Sequence, residues 1–357
     1  SAGDPAALIE FEDQRLLIIR DIEMDRARTA AKADRIACPA DFAPPHGLSG
    51  DRETATAQAA AEALRQYGVA EVTSDRTLPL SFSSAIDAAG IRVIYDPALG
   101  VSTRRHKDEE EVNALSAAQC DTQRVIAMAC ELIASADANS KGILQHDGDA
   151  LTSERVRTAI DVYLLELGYD NPMSIVAGGP QGADCHEHGT GPLRTSEPII
   201  IDVFPRSKTS RYNGDCTRTV VHGEIPSDIA NMHAAVREAK IAGEAAARAG
   251  VTGEAVHAAT TTVITQHGYA LGLPETDAPS DRTAMVHGTG HGVGLAVHEP
   301  PLLDHGGDQL VAGDVITIEP GLYCPAIGGL RLEDMVLVTP DGCVDLGDQL
   351  PLDLTWS

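Results

Sequence analysis

Apolar and polar positions follow two different rhythms along this chain. In the first hundred residues, short apolar runs alternate with stretches of helical period. Residues 16–19, 69–73 and 91–95 read as strands, and 24–34, 55–67 and 85–89 read as helices. This alternation predicts an α/β domain. The Pro- and Gly-bearing stretch 44–50 reads as a loop. A long helical pattern then covers 104–134, with acidic residues at 108–111 placed early, where they complement the helix dipole. The boundary is therefore set at about residue 103, giving an N-terminal domain over 1–103 and a second over 104–357 that begins with a linker helix. Beyond it, residues 199–203, 219–222, 315–318 and 335–339 are apolar and rich in β-branched side chains. Helices are expected at 153–167, 228–249 and 254–267. The strands follow one another instead of alternating regularly with helices, so the second domain reads as α+β.

Carboxylates interrupt this second pattern where they are least expected. Asp202 follows Ile199, Ile200 and Ile201, Glu319 ends the run 315–318, and Glu333 lies within 330–337. Asp215 stands just before Thr217, Thr219 and Val220. Desolvating a carboxylate in an apolar strand is costly. Several together call for a compensating charge, which divalent cations supply. One imidazole is offered by the glycine-rich stretch His287-Gly-Thr-Gly-His291-Gly-Val-Gly, where glycine permits close backbone approach. Four carboxylates and one histidine suit two ions of Mn, Co, Fe or Zn. Each element alone is weak, since a single Asp at a strand end is usually a cap and a single His is usually structural. The stretch lacks the spacing of a dinucleotide fingerprint or a P-loop. No G-x-S-x-G elbow is present, and Cys185 beside His186 is an isolated adjacency.

Composition narrows the picture further. With 357 residues, 43% of them hydrophobic, the chain can bury a substantial core. A net charge of −26 repels phosphate, which argues against nucleic acid and anionic membranes as partners. No apolar run is long enough to span a bilayer, and the first residues lack the order of a signal peptide. Seven cysteines, an odd number without C-x-x-C spacing, fit reduced thiols and a cytoplasmic location better than a disulfide framework.

Taken jointly, five stretches carry a resemblance. They are Ile-Ile-Ile-Asp202-Val, Gly214-Asp215-Cys-Thr-Arg-Thr219, His287-Gly-Thr-Gly-His291-Gly-Val-Gly-Leu-Ala-Val-His298-Glu, Ile318-Glu319-Pro-Gly-Leu-Tyr323, and Gly329-Leu-Arg331-Leu-Glu333-Asp334. In this order they resemble the family of methionine aminopeptidases, Xaa-Pro aminopeptidases, prolidases and creatinases. The resemblance implies a pita-bread catalytic fold, and the preceding α/β domain is similar to that of the prolidase and creatinase branch. It further implies that Asp202, Asp215, His291, Glu319 and Glu333 hold a metal pair, with Asp215 and Glu333 shared. His298 matches a substrate-contacting histidine, and Arg331 an arginine beside the shared glutamate. A further substrate histidine corresponds to His186 or to His188. Glu319 would exchange protons with water and leaving group. A short peptide is the implied substrate, cleaved at its N-terminal bond in Xaa-Pro peptides or dipeptides, and a homodimer is the implied assembly. The segment joining Asp202 to Asp215 is two residues longer than the family's, which predicts an altered hairpin turn near the site mouth. Two other readings share this fold: a metal-independent creatinase-like amidino hydrolase, and a non-catalytic protein-binding relative. Both lose metal ligands in that family, whereas all five are present here.

Overall fold

A computed structural model describes residues 3–275 and 278–356. The chain divides into two compact units, one ending at Ser102 and the other beginning at Thr103. In the first, strands Ala7–Glu10 and Arg15–Ile18 pair antiparallel, and Arg35–Ala37 joins the second in parallel. A separate parallel pair is made by Glu71–Ser74 and Arg92–Tyr95. Helix Arg52–Gln66 starts where Asp51 accepts the Thr54 amide, and it buries a row of alanines against Leu16, Ile18 and Phe82. Helix Leu80–Ala88 begins earlier than the apolar period indicates, because its first turn, Leu-Ser-Phe-Ser, carries little helical patterning.

The long helical pattern at the start of the second unit is broken in two. Val101–Arg105 is a short helix, and Glu109–Ala134 a separate long one. The break follows from Asp108, which leaves helical geometry and forms a reciprocal capping box with Glu111. Lys107, in the break, is buried with its Nζ 2.8 Å from Glu299 Oε1.

Three sheets, antiparallel but for one short parallel pair, position the site. Strand Pro198–Val203 lies between Ile175–Gly178 and Cys216–Val221. A five-stranded sheet runs in the order Glu299–Leu303, Gly290–Gly292, Val315–Ile318, Asp334–Val338, Cys343–Asp345. A four-stranded sheet holds Gly321–Cys324 against Gly328–Arg331. The alternation of side chains along each strand divides the labour. Ile199, Ile201 and Val203 pack on helices Glu109–Ala134 and Ser153–Leu167 through Val125, Ile126, Ile160 and Leu164. Ile200 and Asp202 therefore point the other way. Ile316, Ile318, Val336 and Val338 pack with Val256 of helix Gly253–Gln266, which turns Thr317 and Glu319 to the opposite face. Helices cover one side of the sheets, and the carboxylates gather on the other.

The extended connection after Asp202 forms the expected hairpin turn, with Arg206 bridged antiparallel to Asn213 and the Ser207 amide donating to the Tyr212 carbonyl, but residues 206–211 do not line the cavity. Arg206–Ser207 pairs with Tyr169–Asp170, and Lys208 and Arg211 lie 3.7 Å from the Asp170 carboxylate. Residues 206–211 are thus drawn toward a neighbouring loop, and among the described residues of the connection's first part only Phe204, with Asp202, lines the cavity. The pairing with Tyr169–Asp170, unreadable in sequence, decides this placement.

Candidate dinuclear metal site

A cavity of about 370 Å³ opens on the carboxylate face. It is lined by Asp202, Asp215, His291, Glu319 and Glu333, and also by His186, His188, His298 and Arg331. All nine sequence candidates therefore meet at one place. Asp202, Asp215 and Glu333 are almost fully buried. His291 Nε2 lies 3.4 Å from Glu319 Oε1 and 3.7 Å from Asp215 Oδ2. Donor atoms of Asp215, His291 and Glu333 lie within 4.8 Å of one another.

Neighbouring hydroxyls fix these groups. Thr217 Oγ1 donates to Glu333 Oε2 at 2.6 Å, and the Thr217 carbonyl accepts the Glu333 amide. The Thr317 hydroxyl accepts the His291 amide at 3.1 Å and donates to Glu319 Oε1 at 3.3 Å. Gln119 Oε1 accepts the Asp215 amide. Close strand approach is needed as well: a Cβ on Gly290 would stand 2.0 Å from the Thr317 carbonyl oxygen, so only glycine lets His291 reach this depth.

A chain of polar contacts runs behind Asp202. Arg331 Nη2 donates to Asp202 Oδ2 at 2.6 Å, Nη1 to the Tyr323 hydroxyl at 2.9 Å, and Nε to Thr217 Oγ1 at 3.3 Å. His287 Nδ1 donates to the Gly288 carbonyl at 2.8 Å, which leaves Nε2 to accept from the Tyr323 hydroxyl at 2.7 Å. His287 and Tyr323 thus belong to the site, although neither was singled out from sequence. His287 could have been found from its place four residues before His291 in the same glycine-rich stretch. Tyr323 gives no such local signal.

The electrostatics test whether this cage suits cations. Burial, then repulsion from neighbouring carboxylates, raises the Asp215 and Glu333 carboxyls well above their usual range. Arg331 offers one positive charge against four carboxylates. His291 donates Nδ1–H to the Gly292 carbonyl at 3.2 Å, so its Nε2 lone pair faces carboxylate oxygens. Burial lowers the His291 pKa and keeps that lone pair available. Asp202 Oδ1 is buried without a hydrogen-bond partner. Lone pairs aimed at one another, with an orphaned oxygen beside them, fit bound divalent metal. His298 stacks edge-on to His291 with ring centroids 4.2 Å apart, and burial lowers its pKa too.

A cage of this donor set at the centre of paired antiparallel sheets defines a metal-dependent hydrolase. The chain belongs to metallopeptidase family M24, whose sequence profile matches residues 118–340. It is 32% identical over 284 residues to a protein named "Probable dipeptidase PepE" from Mycobacterium tuberculosis, covering 78% of this chain and 68% of that one. It is 29% identical over 222 residues to an "Xaa-Pro dipeptidase" of Pyrococcus furiosus, covering 61% of this chain and 59% of that one. In fold it matches the solved "Xaa-Pro dipeptidase from Bacillus anthracis" with a TM-score of 0.81 at 23% identity, over 100% of this chain and 90% of that one. The protein is a metallopeptidase with the pita-bread fold. Among the described residues, no helix is long and apolar enough to cross a membrane.

Proposed function

We propose that this chain is a dinuclear-metal exopeptidase that cleaves the N-terminal bond of Xaa-Pro peptides or dipeptides. The observation that carries the reading is the His291 lone pair directed at Glu319 and Asp215. The names of its relatives, a dipeptidase and an Xaa-Pro dipeptidase, support the substrate class. Asp202, Asp215, His291, Glu319 and Glu333 would hold the ions, with Mn, Co, Fe or Zn suiting the donors. The metal pair, when bound, would supply a water acidified towards neutrality and an electrophile for the peptide carbonyl. Glu319 would hold a proton and pass it to the departing nitrogen. Its Oε1 is held for this by the Thr317 hydroxyl. His298 and His186 orient the scissile group, and His298 is poised to donate a hydrogen bond to the oxygen that gains charge. Arg331 holds Asp202 in place and, as part of the cavity lining, also serves in substrate binding.

His186 is preferred to His188 as the substrate contact, because both line the cavity and His186 follows Cys185, whose carbonyl accepts from Arg331 Nη1 at 3.2 Å. Replacing His186 by Ala is expected to lower kcat/KM on the order of 10²-fold, while His188→Ala changes it little. Steady-state kinetics on an Xaa-Pro dipeptide will show which histidine matters, and a larger loss at His188 would reverse the assignment.

Residues 1–103 are taken as the counterpart of the prolidase-branch N-terminal domain, and the protein as a cytoplasmic homodimer. Chelation should abolish release of the N-terminal residue, and added Mn or Co should restore it. Mass spectrometry of a peptide-library digest reads chain length and Pro preference together. Cleavage that persists in fully metal-stripped protein would support the amidino-hydrolase type of chemistry and overturn this reading.

A further inference from the structure

Helix Gly253–Gln266 presents His257 toward the loop that follows strand Glu299–Leu303. There His257 meets Asp304 and His305, and one donor atom from each lies within 4.8 Å of the others. His257 is buried, Asp304 half-buried and His305 exposed. The distance from His257 Nε2 to Asp304 Oδ1 is 3.5 Å. That exceeds a normal hydrogen bond between such atoms. It matches the donor–donor edge of about 3.3 Å that bonds of about 2.0–2.2 Å make around a tetrahedral zinc. A fourth donor stands nearby, since Glu254 Oε1 is 3.9 Å from His305 Nδ1.

The surroundings prepare His257 as a ligand. Its Nδ1 lies 3.0 Å from the buried Thr289 hydroxyl, which can accept Nδ1–H and leave Nε2 free. A metal-bound histidine characteristically uses its second nitrogen in this way. Burial lowers the His257 pKa and favours the neutral ring that a metal needs. The loop is pinned independently, because the His305 amide donates to Asp304 Oδ1 at 2.7 Å and the Gly307 amide to the Asp304 carbonyl. None of these donors belongs to the five of the catalytic cage.

We propose that His257, Asp304 and His305, with Glu254 as an outer donor, form a further site for a borderline divalent cation of the zinc class. Two imidazoles and carboxylate suit zinc better than magnesium or calcium. The ion would join helix Gly253–Gln266 to the loop bearing Asp304. Asp304 lines the catalytic cavity, and Thr289 lies two residues before His291, so the ion would brace the wall of that cavity.

The test is a count of bound metal. Chelator-stripped protein is dialysed against buffered Zn2+, and metal per chain is measured by emission spectroscopy. His305→Ala should bind Zn2+ at this site more than about tenfold more weakly, and so carry one equivalent fewer at a concentration that just saturates the parent. Asp304→Asn combined with His305→Ala should lose that equivalent altogether. Circular dichroism of each variant checks that the fold persists. Equal metal content in the parent and the double variant overturns the proposal and leaves His257 and Asp304 a structural pair. Glu333→Gln, counted alongside, reports the catalytic centre alone, so failure of one site is distinguishable from failure of the other.

Discussion

Glu319→Gln is expected to lower kcat by about 10²–10⁴-fold, the range of a lost general base, with the fold retained. The substitution keeps the side chain's length and removes its capacity to take a proton. The amide can still meet the Thr317 hydroxyl, which stands 3.3 Å from Glu319 Oε1. It can also still offer an oxygen to a cation, although a weaker one. Loss of turnover should therefore exceed loss of metal. Stopped-flow turnover and metal content, measured on one preparation, separate these effects. Near-normal turnover with metal bound would remove Glu319 from the proton path.

The second large effect concerns stability and lies behind Glu333. Arg218 is fully buried and donates to Asp334 at 2.8 Å and 3.0 Å. It also donates to the carbonyls of Thr217, Glu333, Leu350 and Pro351. Lys240 Nζ, buried as well, is 2.9 Å from Asp334 Oδ2. Arg218→Met removes all the guanidinium donors, leaving the Lys240 cation on Asp334, and should cost about 3–5 kcal/mol, because the carbonyls and part of the carboxylate charge are left unmatched. Urea denaturation of the metal-free protein measures it. Combining Arg218→Met with Asp334→Leu should cost less than the sum of the single changes, as expected for a buried charged pair. Strict additivity would mean the two residues act independently. Burial opposes ionisation of Asp334, but Arg218 and Lys240 outweigh it and hold its carboxyl below the ordinary range. The group's stabilising contribution is thus complete above the unfolded carboxyl's titration. It is lost as pH falls through the lower folded value.

The carboxylates were legible because each is a polar exception in an apolar strand. Asp202 after three isoleucines and Glu319 after Val-Ile-Thr-Ile announce themselves. The short strands that complete the cage were not. Gly290–Gly292, Gly321–Cys324 and Gly328–Arg331 are brief and glycine-rich, and so carry too few side chains to show a period. Their positions are set by partners distant in sequence, such as Thr317 against Gly290. The helix break at Asp108 was hidden for a different reason: the acidic cluster that favours a helix start also contains the residue that caps it. Tyr323 and Asp304 acquire their surroundings only through tertiary packing. His257 lies on a helix face beside Val256, Thr260 and Ile264, where it reads as ordinary core.

The bridge between Thr217 and Glu333 joins positions more than a hundred residues apart. A chain still emerging from the ribosome can present Asp202 and Asp215 long before Glu319 and Glu333 exist. Under the proposed ligand assignment, the cell can load this enzyme only once Glu333 has been made. Products that stop short of Glu333 would then stay inert.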